Sequence, residues 1–189
     1  SNEPENKIKE TAVAELLGMN FFIPGHQRGY RWTEQQVNDL LNDINEFEPK
    51  NGSWYCLQPL VTKKTILNIN QFKTDIQDKT ELQDITDALN KQIRYEVIDV
   101  QQRLTTIYLI LAYLGVTDKY TIEYETRKGS KGFLKDISEK NEAEAQSNID
   151  FFYMHKAYKT IEKFFDKNIW KRIQKLNCQS RVKRKRNNH

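Results

Sequence analysis

The sequence has few of the residues that mark the more easily recognised classes of protein. It contains two cysteines, Cys56 and Cys178, which lie far apart and form neither a metal-ligand spacing nor a disulfide framework. No apolar run approaches the roughly 20 residues that a membrane-spanning helix needs. Ser1 to Glu10 lack the apolar segment typical of an export signal. These absences predict a protein of the reducing cytoplasm with no membrane partner.

Charged residues are abundant but unevenly distributed. Residues 1–166 carry 21 Lys and Arg against 26 Asp and Glu, whereas residues 167–189 carry nine basic residues and no acidic one. The body of the chain therefore gives no overall electrostatic argument for nucleic-acid binding. The basic tail, residues 177–189, is either a solvated, irregular terminus or a segment that binds phosphates.

The length and composition predict one globular domain or slightly more. The chain has 189 residues, of which 38% are hydrophobic and 11% aromatic, and this is enough apolar material for a core. Strand-like and helical patterns interleave as far as Arg127, and a helical segment follows. We therefore predict an α+β core over residues 1–127 with a polar surface insertion near 63–92. A helical extension over 128–176 and the basic tail follow.

The apolar spacing predicts individual elements within this arrangement. Thr33 and Gln36 form a capping box ahead of an amphipathic helix that ends at Phe47. Further helices are predicted over 8–17, 102–114, 131–137 and 149–165, with a helical turn near 81–89. Strands are predicted over 21–23, 54–61, 95–98 and 120–124. We expect strands 54–61 and 95–98 to share one mixed sheet, with helix 102–114 packed on it.

Two segments concentrate residues suited to ligand binding. One is I-P-G-H-Q-R-G-Y-R-W at 23–32, and the other is Y-E-V-I-D-V-Q-Q-R-L-T-T at 95–106, which is predicted to form a strand, a tight turn and a helix. The N–H groups and positive dipole end of such a helix attract anions. Arg103 is either a phosphate ligand or a member of a surface ion pair. Asp99 either caps the helix or holds a divalent cation.

The two segments together resemble the DUF 262 family. Its members carry a D-G-Q-Q-R motif, to which D-V-Q-Q-R at 99–103 is similar, and they include the first half of GmrSD-type modification-dependent restriction enzymes. The stretch from Tyr124 to Leu134 resembles the family pattern Y-E-T-R-x-x-S-x-x-F-L. Residues 148–158 resemble its pattern N-I-D-x-x-Y-M-x-x-A-Y. The ordered matches cover most of residues 8–165.

The resemblance implies a ParB/sulfiredoxin-like core, which is a mixed sheet with flanking helices and a nucleotide pocket. It implies binding of a nucleoside triphosphate with Mg²⁺, and weak Mg²⁺-dependent hydrolysis is a further hypothesis. Asp99 and Arg103 would be catalytic, with Asp99 also the Mg²⁺ ligand. Nucleotide contacts would come from Gln101, Gln102, Arg103, Gln27, Arg28, Tyr30 and Trp32. For Gln27, Arg28, Tyr30 and Trp32 a role in bracing the loop is the alternative.

The resemblance also implies partners, and it has one notable departure. DUF 262 restriction proteins are associated with sensing modified DNA, and cleavage usually belongs to a C-terminal or separate H-N-H nuclease domain. With three histidines, this chain is not expected to be a nuclease on its own. Val100 replaces the motif glycine, so either the turn is adjusted or nucleotide affinity and turnover are reduced. The alternative function is a non-catalytic DNA-binding or protein-interaction module of the same fold.

Overall fold

The computed structural model describes residues 13–47 and 60–186, with side chains described as far as residue 167. The strands are β1 Asn20–Ile23, β2 Thr62–Ile66, β3 Ile93–Val97 and β4 Thr121–Tyr124. The α-helices are α1 Val13–Leu16, α2 Glu34–Glu46, α3 Ile69–Asp75, α4 Leu82–Gln92, α5 Gln101–Tyr113, α6 Ser130–Lys135, α7 Glu142–Ala145 and α8 Ile149–Arg186. A short 3-10 helix, Ile137–Glu139, lies between α6 and α7. The predicted α+β class is confirmed.

The four strands form one mixed sheet in the order β2-β3-β1-β4. The central strand β1 is parallel to both of its neighbours, since Phe21 pairs with Tyr95 of β3 and with Ile122 of β4. The edge strand β2 runs antiparallel to β3. The predicted mixed sheet is thus confirmed for the strand around Tyr95.

Helix α5 forms the centre of the core. Seven consecutive residues, from Leu104 to Ile110, are buried, as expected for a helix covered on all sides. The hydroxyl of Tyr120, the residue before β4, donates to the Leu104 carbonyl, and the Tyr108 and Tyr120 rings meet edge to face with centroids 5.8 Å apart. Tyr113 contacts α8 through a ring stack on Phe165 at 4.9 Å. The prediction that this helix packs on the sheet is confirmed.

The capping box predicted at the start of α2 is also confirmed. Thr33 and Gln36 form the capping box of α2: the Thr33 N–H donates to Gln36 Oε1 at 2.9 Å, and the Thr33 hydroxyl accepts from the Gln36 N–H. The helix buries Val37, Leu40 and Leu41. Gly18 follows α1 with φ 78, a left-handed conformation that ends a helix without strain in a glycine.

The stretch predicted as a polar surface insertion near 63–92 contains β2, α3 and α4, of which only a helical turn near 81–89 was predicted. The edge strand β2 exposes Lys63 and Lys64, and α3 buries no residue. An edge strand and a surface helix of this kind leave little apolar periodicity in the sequence. Of the predicted strand 54–61, residues 54–59 lie outside the described part, and Leu60 and Val61 are not in a strand.

Helix α8 continues to Arg186, well past the end predicted at Phe165. Residues 166–186 contain neither glycine nor proline, so no residue type in this stretch breaks a helix. Residues 177–186 of the basic tail are therefore assigned to a helix, which differs from the irregular terminus that was one of the alternatives expected from the sequence. No helix in the described ranges is long and apolar enough to cross a bilayer.

Candidate functional site

The carboxyl ends of β1, β3 and β4 lie at one edge of the sheet, because these three strands run in the same direction. β1 leads into the loop over 24–33, β3 into the turn over 98–100, and β4 into the turn over 125–129. Ligands of open α/β sheets bind in the crevice outside the carboxyl ends of the strands. The fold therefore brings the two sequence motifs to the edge that is best suited to a binding site.

The turn between β3 and α5 contains a valine in a conformation that favours glycine. Val100 is the N-cap of α5, with φ 62 and ψ 23, and it provides no side-chain hydrogen bond to the helix. No other non-glycine residue in the described part of the chain has a positive φ. Either an adjusted turn or weaker nucleotide binding was expected from the sequence. The turn is not adjusted, because Val100 takes the left-handed conformation that the motif glycine favours. The N–H groups of the first turn are not used by a capping side chain.

Asp99 lies one residue before the cap. Its carboxylate accepts from the Val100 N–H at 2.7 Å, and the residue is exposed. The alternative in which Asp99 caps α5 is wrong, because Val100 occupies that position. Within the described residues, no group of three or more His, Cys, Asp and Glu side chains could hold a metal ion. A cation at Asp99 would therefore need further oxygen ligands from a bound phosphate or from water.

Glutamine side chains tie the first motif to the second. The Gln102 amide donates to the Gly29 carbonyl at 2.9 Å, and its Oε1 accepts from the Arg31 N–H at 2.8 Å. The Gln27 amide donates to the Ile98 carbonyl at 2.9 Å. Gln101 makes a longer contact, 3.5 Å, with the Arg28 carbonyl. Gln27 therefore braces the loop, which is the alternative given for it in the sequence analysis. Gln102 does the same, since the amides of both side chains are hydrogen-bonded to backbone groups.

Tyr30 and Trp32 support the loop from beneath. Tyr30 is fully buried, and its hydroxyl pairs with the Thr106 hydroxyl of α5 at 2.9 Å. Burial raises the pKa of Tyr30 well above its usual value near 10. Trp32 is half-buried and packs against the core. Tyr30 has no exposed surface to offer a nucleotide, so its predicted role as a contact is corrected to that of loop support.

Arg103 and Arg28 are cations at this edge without an ion-pair partner in the described ranges. Arg103 is half-buried in the first turn of α5, and Arg28 is exposed in the loop after β1. Neither forms a salt bridge with a residue in the ranges 13–47 and 60–167. A surface ion pair was one of the alternatives expected for Arg103 from the sequence, and no acidic partner for it lies in these ranges.

The sequence reasoning missed a buried ion-pair cluster beside the motifs. Asp150, the second residue of α8, pairs through Oδ1 with Arg31 Nη1 and through Oδ2 with Arg127 Nε. The Asp150 side chain is 1% exposed, whereas those of Arg31 and Arg127 are 22% and 31% exposed. Glu125 is the acidic residue nearest to Arg127 in the sequence, but its carboxylate instead accepts from the Gly25 N–H.

Gly29 makes room for this cluster. A Cβ atom at position 29 would overlap Oδ1 of Asp150 and would lie 3.1 Å from Arg31 Nη1. Because Gly29 has no side chain, the loop after β1 can close against α8. The Gly29 carbonyl at the same time accepts from the Gln102 amide. Three segments, from β1, β4 and α8, meet at this point.

These features define an α+β domain in which one edge of the sheet presents a helix N-terminus and several arginines, an arrangement common to proteins that bind phosphate-bearing ligands. The family model of the GmrSD restriction endonuclease N-terminal domain matches residues 10–186. The chain belongs to this family and is an N-terminal module of the restriction, or phage-defence, type. Searches of curated proteins and of solved structures found no match.

Proposed function

We propose that this domain binds a nucleoside triphosphate with Mg²⁺ at the N-terminus of α5 and acts as a regulatory module of a restriction system. One observation carries the proposal. The uncapped start of α5 lies at the carboxyl edge of the parallel strands, beside Arg103, which has no ion-pair partner within the described part of the chain. Weak hydrolysis of the nucleotide is part of the proposal.

Electrostatics supports a phosphate at this position. The helix N-terminus carries a partial positive charge of about half an elementary unit, and the half-buried Arg103 guanidinium adds a full one. Both are more effective in the partly desolvated surroundings of the sheet edge than in water. Arg28 supplies a second cation from the neighbouring loop, whose backbone is held against α5 through Gln101 and Gln102.

The residues present are compatible with Mg²⁺ when a nucleotide supplies most of its ligands. Mg²⁺ is commonly held by one or two carboxylates together with phosphate oxygens and water. Asp99 is exposed next to the helix start, and only Oδ1 of its carboxylate is engaged with the Val100 N–H. In this position Mg²⁺ would neutralise phosphate charge, and Asp99 would hold it or a water molecule.

The family membership supports two further parts of the proposal. A nuclease domain, in the same protein or a separate one, is the proposed partner, since the family model describes the N-terminal domain of a restriction endonuclease. The mixed sheet with α5 directly after β3 is compatible with the ParB/sulfiredoxin-like core that the sequence motifs imply. A cytoplasmic location follows from the proposed role.

Calorimetric titration with Mg²⁺-ATP and Mg²⁺-GTP tests the proposal, followed by a phosphate-release assay. We expect Arg103→Ala to weaken binding about tenfold to a hundredfold, because a hydrogen bond to a charged group contributes roughly 1.5–3 kcal/mol. Lys91→Ala is the charge-matched control. Lys91 is exposed near the end of α4 and shortly before the start of β3, at the opposite edge of the sheet. Equal affinities for wild type and Arg103→Ala would contradict the proposal.

One observation favours the alternative of a DNA-binding module. A cleft of about 470 Å³ beside α7 and α8 is lined by Lys156, Lys159 and Lys163 together with the exposed ring of Phe152. Lysines along one helix face suit a phosphate backbone. Titration of the same proteins with duplex DNA distinguishes the functions. Salt-sensitive DNA binding without any nucleotide binding would favour the alternative.

A further inference from the structure

The cluster of Asp150, Arg31 and Arg127 carries more positive charge than a structural ion pair needs. One guanidinium suffices to neutralise the buried Asp150 carboxylate, and the second leaves a net charge of +1. Two arginines held on one carboxylate also repel each other, and an anion between them relieves that repulsion. The start of α8, where Asp150 lies, adds the positive end of a 38-residue helix.

Both arginines retain N–H groups for a ligand. Arg31 uses Nη1 for Asp150 and for the Tyr30 carbonyl, and Arg127 uses Nη1 for the Thr126 carbonyl while its Nε faces Asp150. The Nη2 groups of both side chains have no hydrogen bond to a described residue. The side chains of Arg31 and Arg127 keep 22% and 31% of their surface exposed to solvent.

The cluster lies beside the proposed nucleotide site. The Arg31 N–H donates to Gln102 in the first turn of α5. The hydroxyl of Tyr124, which precedes Arg127 by three residues, pairs with the Thr105 hydroxyl of α5 at 2.8 Å. The Asp150 anchor thus fixes two cations from the loops after β1 and β4 next to the helix start.

We propose that Arg31 and Arg127, positioned by Asp150, form a second anion subsite that binds the terminal phosphate of the nucleotide. This inference rests on the proposed function and deepens it. The first turn of α5 and Arg103 hold the inner phosphates, and the arginine pair discriminates a triphosphate from a diphosphate. The free Nη2 group of each arginine can donate charge-assisted hydrogen bonds to a terminal phosphate, which has three free oxygens. Asp150 is a positioning residue, because it acts through the arginines.

The test compares a triphosphate with a diphosphate on the full chain. ATP and ADP, and GTP and GDP, are titrated with Mg²⁺ against wild type, Arg127→Gln and Lys128→Gln. We expect wild type to prefer the triphosphate about tenfold or more. Arg127→Gln should reduce this preference to less than about threefold while diphosphate affinity changes less than about twofold. Lys128→Gln removes the same charge from an exposed neighbour and should keep the preference.

A second variant covers the case in which Arg127→Gln fails to fold, as judged by circular dichroism. Arg127→Lys keeps a cation for Asp150 but has no second nitrogen to donate to a phosphate, and we expect it to fold and to lose most of the triphosphate preference. If wild type binds both nucleotides and the folded variant keeps the preference, the subsite is refuted while the proposed function stands. If wild type binds no nucleotide, both are refuted.

Discussion

Replacing Val100 by glycine is expected to relieve backbone strain at the start of α5. The left-handed conformation of this residue, φ 62 and ψ 23, costs an L-residue roughly 1–2 kcal/mol. Glycine avoids that cost but loses about 0.5–1 kcal/mol more chain entropy on folding than alanine does. Comparing Val100→Gly with Val100→Ala cancels the lost contacts of the valine side chain. We therefore expect the glycine variant to be more stable than the alanine variant by about 0.5–1 kcal/mol.

A matched control is available at Val116, which is half-buried like Val100 but does not have a positive φ. Here glycine brings only its entropic cost, so Val116→Gly should be less stable than Val116→Ala by about 0.5–1 kcal/mol. Urea unfolding of the four variants measures both differences, and thermal unfolding should show each as roughly 1–4 °C. If glycine is less stable than alanine at both positions by the same amount, the backbone of Val100 is not strained.

Two further predictions concern packing and pH. Gly29→Ala should lower the free energy of unfolding by roughly 1–3 kcal/mol, because its Cβ would overlap Asp150, whereas Gly132→Ala, with open space around the new Cβ, should be neutral or stabilising in the same urea assay. Burial raises the pKa of Tyr108 to about 12 and that of Tyr30 further still. Since the folded state keeps protons that unfolded tyrosines release near pH 10, this stability is complete below about pH 10 and is lost as the pH rises through about 12. Urea unfolding from pH 8 to 11.5 should show the decline, and a rise over that range would contradict it.

The sequence predicted the elements that have an apolar face or a strong local signal. The capping box of Thr33 and Gln36 needs only residues three positions apart, and the central helix is marked by its apolar residues. The polar strand β2 and the helix α3 were missed, and only a turn of α4 was predicted, because these elements bury few side chains. Such elements form through backbone hydrogen bonds, and their sequences carry no periodic apolar pattern from which a helix or strand could be predicted.

The part of the site at the start of α5 could be predicted from the sequence. The part that depends on contacts between residues far apart in the chain could not. Gln101, Gln102 and Arg103 occupy the first turn of α5 as predicted. The role of Asp150 was missed, although the sequence contains one signal of it. Asp150 is in helical register with the buried Met154, Ala157 and Ile161, and a carboxylate on an apolar helix face requires a buried cation. Which cation, the sequence does not specify.

The position of Asp150 in the chain determines when the site can form during synthesis. Arg31 precedes it by 119 residues, which the ribosome adds in about 6–24 s at roughly 5–20 residues per second. Until α8 has emerged and docked, Arg31 and Arg127 lack their shared carboxylate, and the loop at Gly29 has no surface to close against. The β-sheet and α5 come earlier in the chain. The two arginines are therefore synthesised before the carboxylate that positions them, and their pairing is a late step in the assembly of the site.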